Sequence, residues 1–158
     1  MKYQPNRNYN SNDVVMTPPE LACKLVEHFK PHGRILEPCC GTGNILKYLK
    51  NSDWCEIQKG RDFFDYHKKV DCIFTNPPWS QIRDFLAHSI EIADEIYFLF
   101  TINHLWTKAR LREIFKNGFG IKEICLVDTP KSFPQTGFQL GMIHISRGYD
   151  GEIVLSQL

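Results

Sequence analysis

The junction between Cys72-Ile73-Phe74 and Asn76-Pro77-Pro78-Trp79 restricts the fold of this chain more than any other stretch. A short apolar run bounded by turn residues predicts a buried strand. Two consecutive prolines lack N–H groups and fix φ, and the second pushes the first into an extended conformation, so the strand ends there. The four residues then occupy a loop at the strand's C-terminal end, the edge where open α/β sheets bind ligands. The Pro77 carbonyl is rigidly aimed, and Asn76 sets a side-chain carbonyl beside it. Two fixed acceptors suit an –NH2 group, and Trp79 adds a flat face on which a planar ring stacks, worth roughly 1–3 kcal/mol per base. The loop is a candidate pocket for an amino group on an aromatic ring, such as the exocyclic amine of adenine.

The rest of the chain supplies the sheet this junction needs. Thr17-Pro18-Pro19-Glu20 reads as an N-cap, a first-turn proline and a capping-box glutamate. The helix predicted to follow places Leu21, Leu25, Val26 and Phe29 on one face before Pro31 and Gly33 stop it. Arg34-Ile35-Leu36 predicts a strand running into Glu37-Pro38-Cys39-Cys40-Gly41-Thr42-Gly43-Asn44, with a helix from Ile45 to about Lys50. Glycines there let the backbone approach a ligand, and a helix N-terminus would add free N–H groups. Trp54–Ile57 reads as a second strand, with Glu56 at its end placed to accept two ribose hydroxyls. Further helices are expected over 80–93 and 107–117, and further strands over 95–100, 121–127, 140–146 and 153–155. The predicted architecture is an α/β doubly wound, mostly parallel sheet with helices on both faces and a C-terminal antiparallel hairpin. Residues 1–13 read as a polar N-terminal segment and 14–158 as a single domain.

Asn-Pro-Pro-aromatic after a strand resembles the catalytic motif of amino-methyltransferases that use S-adenosylmethionine, the adenine-N6 and glutamine-N5 enzymes in particular. Glu37-x-x-x-Gly41-x-Gly43, some 35 residues earlier, resembles their cofactor loop. The order Thr-Pro-Pro, glycine loop, Asn-Pro-Pro-Trp is similar to that of phage and bacterial DNA adenine methyltransferase cores, and implies a Rossmann-like methyltransferase fold. It implies that 14–158 is a single methyltransferase catalytic domain without a separate target-recognition domain. The resemblance further implies that Asn76, Pro77, Pro78 and Trp79 are catalytic. It implies that Thr17, Glu37, Pro38, Gly41, Gly43, Asn44, Glu56, Asp62, Phe63 and Asn76 bind S-adenosylmethionine. Thr17 would lie over the methionine end, Glu37 would meet its amino group, and Asp62 and Phe63 would hold its adenine. Only five residues separate Glu56 from Asp62, where the family has a helix and a strand. The strand 3 region is therefore expected to be shortened.

Composition sets outer limits. A chain of 158 residues, 42% hydrophobic and 23% charged, is sized and composed for one globular core. Its net charge of +1 excludes a globally basic nucleic-acid binder, leaving local contacts. Candidate substrate contacts are Trp106, Lys108, Lys131, Phe133 and Phe138. His104 reads as structural, because the reaction needs no strong base. The cysteines, Cys23, Cys39, Cys40, Cys55, Cys72 and Cys125, form no Cys-x-x-Cys pair and read as free thiols. No metal and no membrane contact are expected. Nucleic acid is the expected partner, DNA ahead of RNA, with a specificity subunit or a second copy as a further one, in the cytoplasm of a bacterium or phage-infected host. A protein-glutamine substrate, and a cofactor-binding scaffold subunit that needs a partner, stand as the alternatives.

Overall fold

The computed structural model describes residues 15–158; the polar N-terminal segment expected over 1–13 lies outside them. Seven strands form one sheet in the order β2-β1-β3-β4-β6-β5-β7. They are β1 (Ile35–Glu37), β2 (Ser52–Trp54), β3 (Cys72–Thr75), β4 (Glu95–Thr101), β5 (Phe119–Val127), β6 (Leu140–Arg147) and β7 (Val154–Gln157). β2, β1, β3 and β4 pair in parallel, β6 runs antiparallel to β4 and β5, and β7 pairs in parallel with β5. The antiparallel return is therefore β5–β6. The last strand crosses β5 to the outer edge instead of extending the hairpin.

Alternation along the strands builds a core on each face. Ile96, Phe98 and Phe100 of β4 join Ile73, Phe85, Leu86 and Ile114 beneath α2 (Ile82–Ile92) and α3 (Lys108–Lys116). Tyr97 and Leu99 of the same strand join Ala22, Leu25, Phe74 and Met142 beneath α1 (Pro19–Phe29). Among the described residues no helix is long and apolar enough to cross a membrane.

Three local expectations are corrected. Thr17 does not cap α1: Pro18 occupies the cap position with no side-chain bond, and Pro19 is the first helical residue. The helix expected over 45–50 is a single 3-10 turn, Leu46–Tyr48. Six residues cannot repay helix nucleation, and Asn51, at φ 51°, turns the chain into β2. β2 also ends at Trp54, so Glu56 lies beyond it, at the start of a turn over Ile57–Lys59 that a Glu56–Arg61 bridge closes. As expected, no helix and no strand stand between Glu56 and β3; a second 3-10 turn, Phe63–Asp65, makes the connection. β2 is thus an edge strand.

Candidate functional site

Parallel pairing of β1, β3 and β4 brings Glu37, Thr75 and Thr101 to one edge of the sheet, because each ends its strand. Asn76 follows Thr75 directly, and its side-chain amide is held on three sides. Nδ2 donates to the Val15 carbonyl at 3.1 Å and to Thr17 Oγ1 at 3.3 Å, while Oδ1 accepts from Trp79 Nε1 at 3.2 Å. These partners fix which end of the amide is oxygen, and they leave Oδ1 further acceptor capacity. The Thr17 hydroxyl that sequence placed at a helix cap thus positions Asn76 instead. The Thr17 carbonyl also accepts from Asn44 Nδ2 at 2.9 Å, which links the glycine loop to the same cluster.

Trp79 is turned inward at its N–H edge. Nε1 is shared between Asn76 Oδ1 and the Leu99 carbonyl of β4, each at 3.2 Å. Its ring meets Phe133 edge-to-face at 6.1 Å and lies 6.4 Å from His104. The indole is half-buried and touches both cores. Burial, and after it Arg110, lowers the His104 pKa, so at neutral pH His104 is the uncharged neighbour of Trp79 and Phe100.

Glu37 is the most confined ionisable group of the site, at 1% exposure. Its Oε1 accepts from the Cys39 N–H at 3.0 Å and from the Thr75 hydroxyl. Burial pushes its pKa up to about 8, against the lowering effect of those bonds. Cys39 Sγ lies 2.9 Å from Thr75 Oγ1 and donates to the Asn76 carbonyl at 3.2 Å. Glu37, Thr75, Cys39 and Asn76 therefore form one continuous polar chain from the glycine loop to the Asn-Pro-Pro-Trp loop. Pro38 is buried between them in sequence.

The glycine loop is built without a helix dipole. Cys40 N–H donates to Cys55, Gly43 N–H to Cys40, and Gly41 N–H to Glu56 Oε2 at 2.8 Å. Glu56 Oε1 accepts from Gln58 N–H at 3.1 Å, so both carboxylate oxygens already hold the loop and the turn after β2. Gly41 has φ 53°, and a Cβ built on it would stand 2.5 Å from Met16 Sδ. The Met16 thioether therefore lies on the loop, and only glycine allows that approach. Beneath it a cavity of about 20 Å³ is lined by Met16, Thr17, Glu37, Cys39, Asn44 and Asn76, among others.

The remaining expected residues do not converge there. Asp62 caps the turn after it, accepting from Phe64 N–H at 2.9 Å. Phe63 is 2% exposed and packs on Phe85 and His88, at 5.0 and 4.7 Å between ring centres, so its faces belong to the core. Without the crossover after β2, this segment has to fill the space over α2 itself. Phe133 is buried beside Trp79, whereas Lys108, Lys131, Trp106 and Phe138 are exposed, the last two at 51% and 58%. Sequence reasoning missed Val15, Met16, Cys39, Thr75 and the Leu99 carbonyl. Thr75 alone carried a signal, a polar residue inside an otherwise apolar strand end.

No protein-family model matches the chain, and no curated protein matches it in sequence. Solved structures do match in fold. A Listeria monocytogenes protein described as a class I S-adenosylmethionine-dependent methyltransferase is 14% identical over 96% of this chain and 68% of its own, with TM-score 0.63. The M protein of the type I restriction enzyme EcoKI is 15% identical over 85% of this chain, TM-score 0.62, and the chain spans only 44% of it. A TehB-like S-adenosylmethionine-dependent methyltransferase of Corynebacterium glutamicum is 16% identical over 80% of this chain and 86% of its own, with TM-score 0.51. At such identities the likeness is one of fold, and the fold is the Rossmann-like α/β fold of the S-adenosylmethionine-dependent methyltransferases.

Proposed function

We propose that this chain transfers a methyl group from S-adenosylmethionine to the N6 amine of adenine in nucleic acid, DNA ahead of RNA. The observation that carries this reading is the Asn76 amide, tied by Val15, Thr17 and Trp79 so that Oδ1 keeps capacity to accept at the C-terminal edge of β3. The neighbours in fold support the cofactor, and so does the chemistry of the donor set. A buried carboxylate, Glu37, and the side chains of Thr17 and Asn44 line the cavity beside Asn76 and suit a cationic amino-acid group. Met16 has to swing off Gly41 to admit it. Glu56 is the candidate for the ribose, once drawn off the Gly41 and Gln58 N–H groups it now holds, and Asp62 is the candidate for the adenine end.

The bound cofactor supplies a methyl carried on a positively charged sulfur. The protein's share is to make the amine nucleophilic. The adenine N6 lone pair is delocalised into the ring. Hydrogen bonds from its two hydrogens to Asn76 Oδ1 and the Pro77 carbonyl favour a pyramidal nitrogen and return that lone pair to it. Trp79 and Phe133 wall the base, and fixed geometry turns the encounter into an in-line displacement. Asn76 accepts hydrogen bonds without being a useful base, so the surplus proton leaves to water after transfer. In duplex substrate the base is flipped out, at a cost of a few kcal/mol that stacking offsets in part. Similarity to modification subunits of type I restriction enzymes supports a separate partner that reads the target sequence.

The test is transfer of tritium from labelled S-adenosylmethionine to unmethylated duplex DNA, single-stranded DNA, RNA and a protein extract in parallel, with mass spectrometry of the product. N6-methyladenine is the expected product. Label on glutamine amides, or cofactor binding with no transfer to any substrate, overturns this reading in favour of a protein-directed enzyme or a scaffold subunit.

A further inference from the structure

His28, Glu123 and Cys125 bring three ligand atoms of different kinds within 4.8 Å of one another, on the α1 face of the sheet. Glu123 and Cys125 are two apart on β5 and therefore share that face. His28 comes down on them from the last turn of α1, its Nε2 2.6 Å from Glu123 Oε1. Ser156 of β7 donates to Glu123 Oε1 at 2.6 Å, and it faces the Cys125 thiol as well. From these residues we propose a zinc site in which His28 Nε2, Glu123 Oε1 and Cys125 Sγ are the protein ligands and water completes the tetrahedron.

The donor set is the argument for the metal. Imidazole nitrogen, carboxylate oxygen and thiolate sulfur together match Zn²⁺, whereas Mg²⁺ and Ca²⁺ demand oxygen. Tetrahedral zinc at the usual bond lengths separates its ligand atoms by about 3.5 Å. The cluster thus needs the His28–Glu123 contact to open, and the sulfur to approach, by about an ångström each. The Ser156 hydroxyl is the outer partner that orients a ligating carboxylate. Side-chain exposures of 28% for His28 and 20% for Glu123 give an ion a way in. Cys125 is buried, and its thiol must lose its proton to solvent as the Zn–S bond forms, one proton for each metal bound. The neighbouring His144 does not compete, since its Nε2 is 2.5 Å from Glu95 Oε2. α1 has 11 residues, a length of about 16 Å, with the Asn76 cluster at its start and His28 near its end. The ion would therefore fasten the far end of α1 to β5 and take no part in methyl transfer.

The experiment uses the full chain, reduced and freed of metal with a chelator, and titrates it with Co²⁺ and then Zn²⁺. The expected result is one equivalent of Co²⁺ giving a thiolate-to-metal charge-transfer band that zinc abolishes, with zinc raising the thermal midpoint. Cys125→Ser should lose the band, while Cys23→Ser, on the exposed side of α1, should keep it. Should Cys125→Ser fail to fold, His28→Ala, a partly exposed change, decides: zinc affinity should fall at least about tenfold, the loss seen even for outer partners. No equimolar binding by the unsubstituted chain overturns the proposal. So does a band that survives in Cys125→Ser, or affinity unchanged in His28→Ala. Methyl transfer is not read in any arm, so this outcome stands apart from the catalytic reading.

Discussion

Glu37→Gln should stabilise the protein without cofactor and remove most of its pH dependence above the carboxylate range. Glu37 has a reference pKa of 4.5, and burial pushes it up to about 8 in the folded chain. Between those values the folded state holds a proton that the unfolded state has released, so stability falls as pH rises. Integrating the linkage from about pH 5 to about pH 7.5 gives a loss of about 3 kcal/mol in the unsubstituted chain that the variant escapes. At this chain length that is roughly 6–12 °C in thermal midpoint. Asp53, Glu95 and Glu123 are shifted the other way, so their contributions are lost only as pH falls below the ordinary carboxylate range and stay flat here. His104 contributes equally to both proteins and cancels in the difference. The assay is urea or thermal unfolding of both proteins across that window. Parallel curves would refute the assignment of a protonated, buried Glu37. Binding of a cationic methionine group should reverse the shift and release a proton, seen by calorimetry in buffers of different ionisation enthalpy. Glu37→Gln should release none, and should bind S-adenosylmethionine roughly ten- to a hundredfold more weakly, the worth of a hydrogen bond to a charged group.

Asn76→Ala should abolish methyl transfer and leave cofactor affinity within a few-fold; loss of cofactor binding on calorimetry would reassign the residue. Trp79→Phe keeps an aromatic wall but strips a donor from Asn76 Oδ1 and the Leu99 carbonyl. Misplaced by that loss, Asn76 should show kcat reduced roughly ten- to a hundredfold with KM little changed, whereas a rise in KM alone would make Trp79 a stacking surface only. Binding to DNA should weaken steeply with salt, and Lys108→Ala with Lys131→Ala should lower the slope of log K against log salt by roughly 1 each; unchanged slopes would place the phosphate contacts elsewhere.

Periodicity made most of the strands and the helices α1, α2 and α3 legible, though neither the end of β2 nor the turn over Leu46–Tyr48, because strand and helix burial is a local property of alternating residues. Tyr97 and Leu99 pointing one way, and Ile96 and Phe98 the other, could be read from the residue order. The deleted crossover was equally legible, as a count of residues between Glu56 and Asp62. Long-range side-chain closure was not. Nothing local says that Thr17 leaves its helix cap for Asn76, 59 positions away, or that Glu56 spends both oxygens on backbone N–H groups. The burial of Phe63 was not legible for a related reason. A family pattern assigned its ring to a ligand, whereas in the fold it packs together with Phe64 over Phe85 and His88.

The short connection after β2 leaves the two ends of the site built differently. At the end proposed for the methionine, residues from three distant stretches, Thr17, the loop of Glu37 and Asn44, and Asn76, are joined by hydrogen bonds or a shared cavity wall. At the other end, Glu56 and Asp62 are each committed to capping a short turn, and among the described residues β2 has no outer neighbour to brace them. Pre-organisation is thus concentrated where the methyl group would be delivered, and interactions already formed there cost least to use. A cofactor would gain its orientation from the Glu37–Asn76 side, while its adenosine half would have to draw Glu56 or Asp62 away from existing backbone partners. S-adenosylmethionine and its demethylated product share both the amino group that Glu37 would meet and the adenosine, so discrimination between them should come from the sulfonium charge and its methyl on the Asn76 side.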